Sequence, residues 1–441
     1  MRIVESFRNI FKIPELRTRI FFTLAILIVF RFGSHIALPG VNPDAIQGFQ
    51  KQMEGTLQSL FHFMQIFSGG SFGNLALFGL GIMPYITASI IMQLMTKVSP
   101  ALEAIAKEGP SGQRKIGQYT RYLTVPICIV QAMMAVSQLK NISTTAPIFL
   151  DQGFGTTLQM ILGLTAGALF VMWLGEQITE YGLGNGASIL IMAGIIARMP
   201  QIWYDLFDRA RKNEFGFDKI LLMAGLFMAA VAATVLITQA QRRIPIQHAK
   251  HFKGRRVMQG QRNYLPLRVN TAGVMPVIFA SSLLVIPSLL SLVPGLSFLG
   301  TIASPGSFTY MLFYVAMIFT FSYFWTYLFF QPHELANNLK EYGSFVPGIR
   351  PGENTAAYLN GILARITLAG ATFLCVIALL PDMVSGWVDL RKNFVQFLGG
   401  TGILIVVGVC LDIAQKIESH LLMHHYEGFV GGSASIRGRR G

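Results

Sequence analysis

Ten apolar runs recur along this chain, at 19–38, 74–96, 116–137, 155–175, 185–200, 219–239, 270–292, 308–331, 358–380 and 394–414. Each comes close to the roughly 20 residues that an α-helix needs to cross a hydrocarbon core. Lipid offers no partner to a bare N–H or C=O, so a crossing segment of this length has to satisfy its backbone internally, as a helix does. The expected fold is therefore all-α and polytopic, with ten transmembrane helices. Composition agrees, since 52% of the 441 residues are hydrophobic and 13% are charged, a balance foreign to soluble domains.

A net charge of +14 would suggest nucleic acid in a soluble chain, but here the basic residues lie between the runs, where they orient a membrane protein. If the N-terminus is cytoplasmic, 24 of the 35 Lys and Arg fall on the cytoplasmic side and nine outside. That excess places both termini in the cytoplasm. One loop dissents: "ARMPQIWYDLFDRARKNEFGFDK" (Ala197–Lys219) should be external, yet holds five basic residues among four acidic ones. The organisation read from this pattern has an amphipathic segment over 1–18, an N-terminal half over 19–200, an external loop over 201–218, a C-terminal half over 219–414 with cytoplasmic loops at 241–268 and 332–357, and a tail over 415–441. The first run follows the amphipathic segment "VESFRNIFKIPELRTRI" and lacks a small-residue cleavage site, so the run reads as a retained helix and the segment before it as lying on the membrane surface.

"LQSLFHFMQIFSGGSFG" (Leu57–Gly73) breaks the pattern of simple spans: an apolar helical run of ten or so residues, closed by Ser68, Gly69 and Gly70, is too short to cross. It is either re-entrant, which requires a cavity at membrane depth, or an external helix on the membrane surface. "EYGLGNGAS" (Glu180–Ser188) sets three glycines about Asn185 and has no following Lys, so it reads as a tight turn and not as a phosphate loop.

Chemistry inside the spans is sparse. Asp412, Glu176 and Glu180 sit at inner ends, Arg31 and Arg365 lie near span ends or mid-helix, and no Asp, Glu or His falls near the centre of a run. Ion-coupled transport, which relies on such groups, is disfavoured. The eight His form no HExxH pattern: His248 and His251 lie in the basic loop and His420, His424 and His425 in the tail. Cys128, Cys375 and Cys410 sit within apolar runs without metal-like spacing and read as small core hydrophobes. Neither an enzyme nor a cofactor is expected. The rival readings are a secondary transporter with inverted repeats and an intramembrane lipid transferase, which would need a paired acid and base.

Five stretches, in order, carry a resemblance: "GIMPYITASIIMQL" (Gly81–Leu94), "EYGLGNGAS", "NTAGVMPVIFASS" (Asn270–Ser282), "ELANNLKEYGSFVPGIRPGENT" (Glu334–Thr355) and "GGTGILIVV" (Gly399–Val407). Between ten spans they resemble the SecY family, the central subunit of the bacterial protein-conducting channel. The resemblance implies two pseudo-symmetric five-helix halves that pass unfolded polypeptide across the plasma membrane and release transmembrane segments sideways into lipid. It also implies a re-entrant plug helix over about 55–70, hinged at Gly69 and Gly70, and a ring of aliphatic side chains at Ile82, Ile86, Ile191, Ile278 and Ile405. Branched aliphatic groups exclude water and ions by dewetting; the ordinary alternative for each isoleucine is contact with lipid or core. The lateral gate of the family maps to helices carrying Thr87, Gln93, Gln131 and Asn270, whose alternative role is helix packing.

The implied partners are the subunits SecE and SecG, the ATPase SecA and the translating ribosome. "QRRIPIQHAKHFKGRRVMQGQRNYLPLR" (Gln241–Arg268) has eight Lys and Arg and no acid, more than orientation needs. Arg255 and Arg256 match the family's ribosome-contacting pair, where guanidinium groups meet RNA phosphates. Arg242 and Arg243 serve docking or lipid headgroups. Arg350, between Pro347 and Pro351, matches an arginine that the family uses in partner-driven translocation.

Overall fold

The computed structural model describes residues 13–41, 65, 68–141, 153–212, 217–248, 251–253, 256–258, 262–290, 307–388 and 401–430. The described helices are α1 (Pro14–Gly33), α2 (Met83–Val98), α3 (Pro100–Lys107), α4 (Pro110–Asn141), α5 (Phe154–Tyr181), α6 (Gly186–Arg211), α7 (Phe217–Gln239), α8 (Met275–Leu290), α9 (Phe308–Phe329), α10 (Pro332–Glu341), α11 (Glu353–Val388) and α12 (Thr401–Val430). Among the described residues, six stretches are long and apolar enough to cross a membrane: Pro110–Ser137, Phe154–Tyr181, Gly186–Tyr204, Ile220–Gln239, Phe308–Glu341 and Glu353–Leu380. The chain is thus a mostly helical, multi-span membrane protein. The other runs fall short for visible reasons. Helix α1 carries Glu15, Arg17, Arg19 and Arg31, α12 carries Asp412, Lys416 and Glu418, and α2 and α8 have 16 described residues each.

Helices α2 and α8 start later than their apolar runs, and in the same way. Residues 68–82 and 269–274 form consecutive turns, ending at Gly81 (φ 55°) and Gly273 (φ 62°). That left-handed backbone suits glycine. Proline then occupies the first helical turn, Pro84 in α2 and Pro276 in α8, where its missing N–H costs nothing. The windows Gly81–Ser89 and Gly273–Ser281 share six of nine residues (Gly, Met, Pro, Ile, Ala and Ser), and Ala88 and Ala280 are both fully buried.

Two expectations need correction. Residues 201–211 are not loop, because α6 continues from Gly186 through Pro200 to Arg211. Charge alone does not end a helix, and Lys212 pairs with Asp208 one turn back at 2.6 Å. Nor is the chain all-α: the stretches 241–268 and 332–357 supply the strands β1 (Gln241–His248), β2 (His251–Lys253), β3 (Arg256–Met258), β4 (Arg262–Arg268) and β5 (Ser344–Phe345). They form a three-stranded antiparallel sheet in the order β4-β1-β5 and a two-stranded ribbon of β2 and β3.

The chain divides into two compact units, one of Met1–Glu54, Phe61–Gln201 and Val409–Gly441, the other of Gly55–Leu60 and Ile202–Gly408. In the first, α4 presents Cys128, Ala132, Ala135, Val136 and Leu139 to Met160, Leu164 and Ala168 of α5, with Phe72, Leu75 and Leu80 filling the same core. These spacings of three and four place each set on one helix face. Glycines set the closest approach: a Cβ on Gly167 would lie 2.0 Å from the Leu77 carbonyl oxygen, so the turns of 68–82 lie directly on α5. The second unit has a core of Val277, Ala280 and Leu284 from α8, Tyr314 and Ile318 from α9, and Leu374, Cys375 and Ala378 from α11. Cys128 and Cys375 are core residues as expected, whereas Cys410 is exposed, with its Sγ 3.6 Å from Met192 Sδ.

Candidate functional site

The basic stretch that opens at Gln241 is held in place. Strand β1 runs antiparallel to β4 in the register Gln241↔Arg268, Ile244↔Leu265 and Gln247↔Arg262. Along β1, Ile244 and Ile246 are buried while Arg242, Arg243 and Pro245 are exposed, the period of two of a half-buried strand. Ile244 and Leu267 pack with Val346 and with Leu359, Ile362, Leu363 and Ile366 of α11. The apolar alternation therefore anchors the hairpin on that helix, with Arg243 and Pro245 on the opposite, outward face and Arg242 exposed near the start of the strand. Pro266 lies on an edge strand and Pro245 at a position of β1 that β5 does not reach, so neither removes a needed ladder hydrogen bond.

His248 ties the second loop to the first. At the end of β1 it pairs with Ser344 of β5, its Nδ1 lies 2.8 Å from Ser344 Oγ, and its Nε2 lies 3.3 Å from Asn263 Nδ2 of β4. One imidazole thus bridges all three strands. Beyond β5, buried Val346 roots the "VPGIRPG" turn, in which Ile349 N donates to the Val346 carbonyl at 3.1 Å and Gly348 and Gly352 have φ of 82° and 104°. Thr355 Oγ1, in the first turn of α11, donates to the Arg350 carbonyl at 2.9 Å. Arg350 is accordingly exposed on a fixed backbone. Arg256 lies in β3 opposite Lys253, and Arg255 falls outside the described residues.

Four of the five ring isoleucines are buried: Ile82 (2% exposed), Ile191 (3%), Ile278 (7%) and Ile405 (2%). Ile86 is partly buried and lies one turn beyond Ile82, to whose carbonyl its amide donates at 3.1 Å. Ile86 and Ile278 hold the same place in the two repeated windows described above. Of the gate candidates, Thr87 Oγ1 donates to the Met83 carbonyl at 3.0 Å and Gln93 Nε2 to Ser89 Oγ at 3.1 Å, both within α2. Gln131 is partly buried on α4. Asn270 lies in the turn before α8, close to Gly370 of α11, where a Cβ would come 2.7 Å from the Val269 carbonyl oxygen.

The expected plug helix lies outside the described residues except for Gln65 and for Ser68 to Gly70. Gly69 and Gly70 have φ of 66° and 88°, a reversal of chain direction that other residues make only with strain. Gly70 N donates to the Gln65 carbonyl at 2.9 Å, closing the turn. The turn at Glu180–Ser188 is equally tight. Asn185 Oδ1 caps α6 by accepting from Ser188 N at 3.3 Å, and a Cβ on Gly186 would lie 1.8 Å from the Gly175 carbonyl oxygen.

Comparison with known proteins places these features in a family. Residues 76–414 match the family SecY. The chain is 43% identical over 433 residues to the protein translocase subunit SecY of Pseudomonas aeruginosa, covering 97% of this chain and 95% of that one. Among solved structures, it superposes on one described as a protein conducting channel, with a TM-score of 0.61 and 18% identity over 97% of this chain and 99% of the other. Sec61 in the canine ribosome-channel complex from the endoplasmic reticulum matches with a TM-score of 0.59 and 17% identity, over 97% of this chain and 99% of that chain. Identity at that level over nearly the whole length, with a family match running from the turns before α2 into α12, makes this chain a member of the SecY family.

Proposed function

We propose that this chain is the pore-forming subunit of a protein-conducting channel, which passes unfolded secretory polypeptides across the membrane and releases transmembrane segments sideways into lipid. The observation that carries the proposal is the 43% identity over 97% of the chain to a protein translocase subunit. The chain itself catalyses no reaction in this reading, and the work of moving a polypeptide falls to its partners. It would occupy a bacterial plasma membrane with ten spans and both termini in the cytoplasm, an orientation supported by the excess of Lys and Arg on that side.

Ile82, Ile86, Ile191, Ile278 and Ile405 are the residues we assign to the constriction. Their support is apolar, branched chemistry, burial of four of the five, and the matched positions of Ile86 and Ile278. The segment over about 55–70 is assigned to the plug, with Gly69 and Gly70 as its hinge. Thr87, Gln93, Gln131 and Asn270 are assigned to the lateral gate. SecE and SecG are the accompanying subunits. SecA and the translating ribosome dock on Arg242, Arg243, Arg255, Arg256 and Arg350, a role supported by the outward exposure of Arg242, Arg243 and Arg350 on a fixed backbone.

The test is import of an unfolded precursor into vesicles that hold this protein with SecE, driven by SecA and ATP. Native protein should import, and Arg350→Glu should not. The pair Arg255→Glu/Arg256→Glu should lose ribosome binding. If the native protein imports no polypeptide with its partners supplied, the channel reading is wrong.

A further inference from the structure

Between Glu353 and Asp382 the sequence holds a single charge, Arg365. It lies on α11, 12 residues after the start of the span Glu353–Leu380 and 15 before its end. At 1.5 Å per residue these distances are about 18 and 22 Å, so neither end of the span is within reach of one side chain. Arg365 is exposed, and among the described residues it has no ion pair and no side-chain hydrogen bond. Tyr358, Gly361, Leu368, Thr372 and Val376 are exposed with it, at steps of three and four that make one face of the helix. The remaining circumference of α11 is occupied. Leu359, Ile362, Leu363 and Ile366 pack on the basic hairpin, and Leu374, Cys375 and Ala378 pack on α8 and α9. Tyr323 Oη of α9 donates to the Ala364 carbonyl at 3.2 Å, and Tyr327 Oη donates to Asn360 Oδ1 at 2.9 Å. These contacts fix the rotation of α11, and with it the outward direction of Arg365.

A charge at this depth is costly unless it is paired, and in a membrane span it marks a site. An exposed span face meets water, lipid or another helix. Beyond Arg365 the face carries Leu368, Thr372 and Val376, and Thr372 Oγ1 is satisfied within α11, donating to the Leu368 carbonyl at 2.8 Å. Such a face does not line water. Lipid phosphates stay at the ends of the span, beyond the guanidinium. A second helix meets both needs. A carboxylate at the same depth would accept the paired N–H groups of the guanidinium, and Gly361, one turn before, leaves the approach open, because a Cβ there meets nothing within 4 Å. We propose that the Gly361–Arg365 face of α11 docks a transmembrane helix of another protein, one that carries Asp or Glu at matching depth. The proposal rests on α11 as a membrane span and not on the channel reading.

Charge exchange tests it. The full chain, donor-labelled and without accompanying subunits, is placed in phosphatidylcholine nanodiscs. Acceptor-labelled leucine–alanine transmembrane peptides with a central Glu, Gln or Lys are then titrated and read by energy transfer. The native chain should bind the Glu peptide about tenfold more tightly than the Gln peptide, the equivalent of about 1.4 kcal/mol. Arg365→Leu should erase the difference, and Arg365→Glu should transfer the preference to the Lys peptide. Gly361→Leu should weaken the Glu peptide about tenfold by blocking close approach while keeping the native thermal midpoint, so that lost binding does not trace to lost fold. Equal binding of the Glu and Gln peptides by the native chain overturns the proposal. So does a preference that survives Arg365→Leu, or Glu binding that Gly361→Leu leaves unchanged, since either puts the contact on another face. Repetition in phosphatidylglycerol nanodiscs separates a helix from a headgroup. A preference kept there supports the helix. If instead it vanishes, and mass spectrometry finds phosphatidylglycerol retained by the native chain but not by Arg365→Leu, the site takes a lipid headgroup and the docked helix is wrong. None of these outcomes bears on precursor import, which tests the channel reading separately.

Discussion

Ile244→Ala should unfasten the basic hairpin while leaving the membrane helices intact. Ile244 is 2% exposed and packs with Leu267 of β4, Val346 beyond β5, and Leu359 and Leu363 of α11. Truncating a buried Ile or Leu to Ala costs about 2–5 kcal/mol, depending on how far the surroundings close over the gap. The sheet is three strands wide and is anchored on α11 through one face, so it can settle, and the lower part of that range, about 2–3 kcal/mol, applies. At about 1.4 kcal/mol per factor of ten, local opening of β1 should become about 30- to 150-fold more frequent. Hydrogen exchange of the β1 amides, measured by mass spectrometry on protein in nanodiscs, reads that change directly, because such amides exchange through local opening. Peptides from α7 should keep native exchange. SecA-driven import should fall together with β1 protection, since Arg242 and Arg243 would lose their fixed direction. Unchanged exchange in β1 would refute the anchoring described here. Equal acceleration in α7 would mean that the loss is global and that the sheet is not an independent element.

The strand-bridging imidazole gives a second prediction: a double-mutant cycle of His248→Ala and Ser344→Ala, read by exchange at Ser344 and Phe345, should show a coupling of about 0.5–1.5 kcal/mol. Simple additivity would deny that the 2.8 Å contact joins the loops. Two glycines of α11 should respond with opposite signs. A Cβ on Gly361 meets nothing within 4 Å, so Gly361→Ala should raise stability by up to about 1 kcal/mol, the helix-propensity difference. Gly370→Ala sets a Cβ 2.7 Å from the Val269 carbonyl oxygen and should lower the thermal midpoint in detergent. Gly186→Ala should be worse still, because its Cβ would lie 1.8 Å from the Gly175 carbonyl oxygen, a backbone atom that cannot rotate away; yield of monodisperse protein by size-exclusion chromatography checks this.

The helices were legible because a bilayer imposes one length and one composition on every crossing, and apolar runs record both. The starts of α2 and α8 were not, since hydropathy is blind to backbone direction. Gly81 and Gly273 turn the chain inside stretches as apolar as the helices that follow. The sheet left a fainter mark. Its signal is "IPI" and "LPL", two alternations of three residues each inside a strongly basic loop, and β5 lies about a hundred residues away in the sequence, where no local pattern announces the pairing. The exposed arginines of the loop could be picked out by charge density, but the strand that carries Arg242 and Arg243 is held by Ile244, Leu267 and Val346, which meet only when α11 is in place. Arg198 shows the limit most clearly. Counting charges assigns it to topology, as one of five basic residues in a mixed loop, because a count treats an arginine at the end of a run as solvated. Its position seven residues before the next charge, Asp205, is no sign of burial, and nothing in "IIARMP" announces a partner more than a hundred residues earlier in the chain. Only the approach of Gly194 to Gly69 brings that guanidinium within reach of Gln65, and two glycines far apart in sequence do not reveal that they touch.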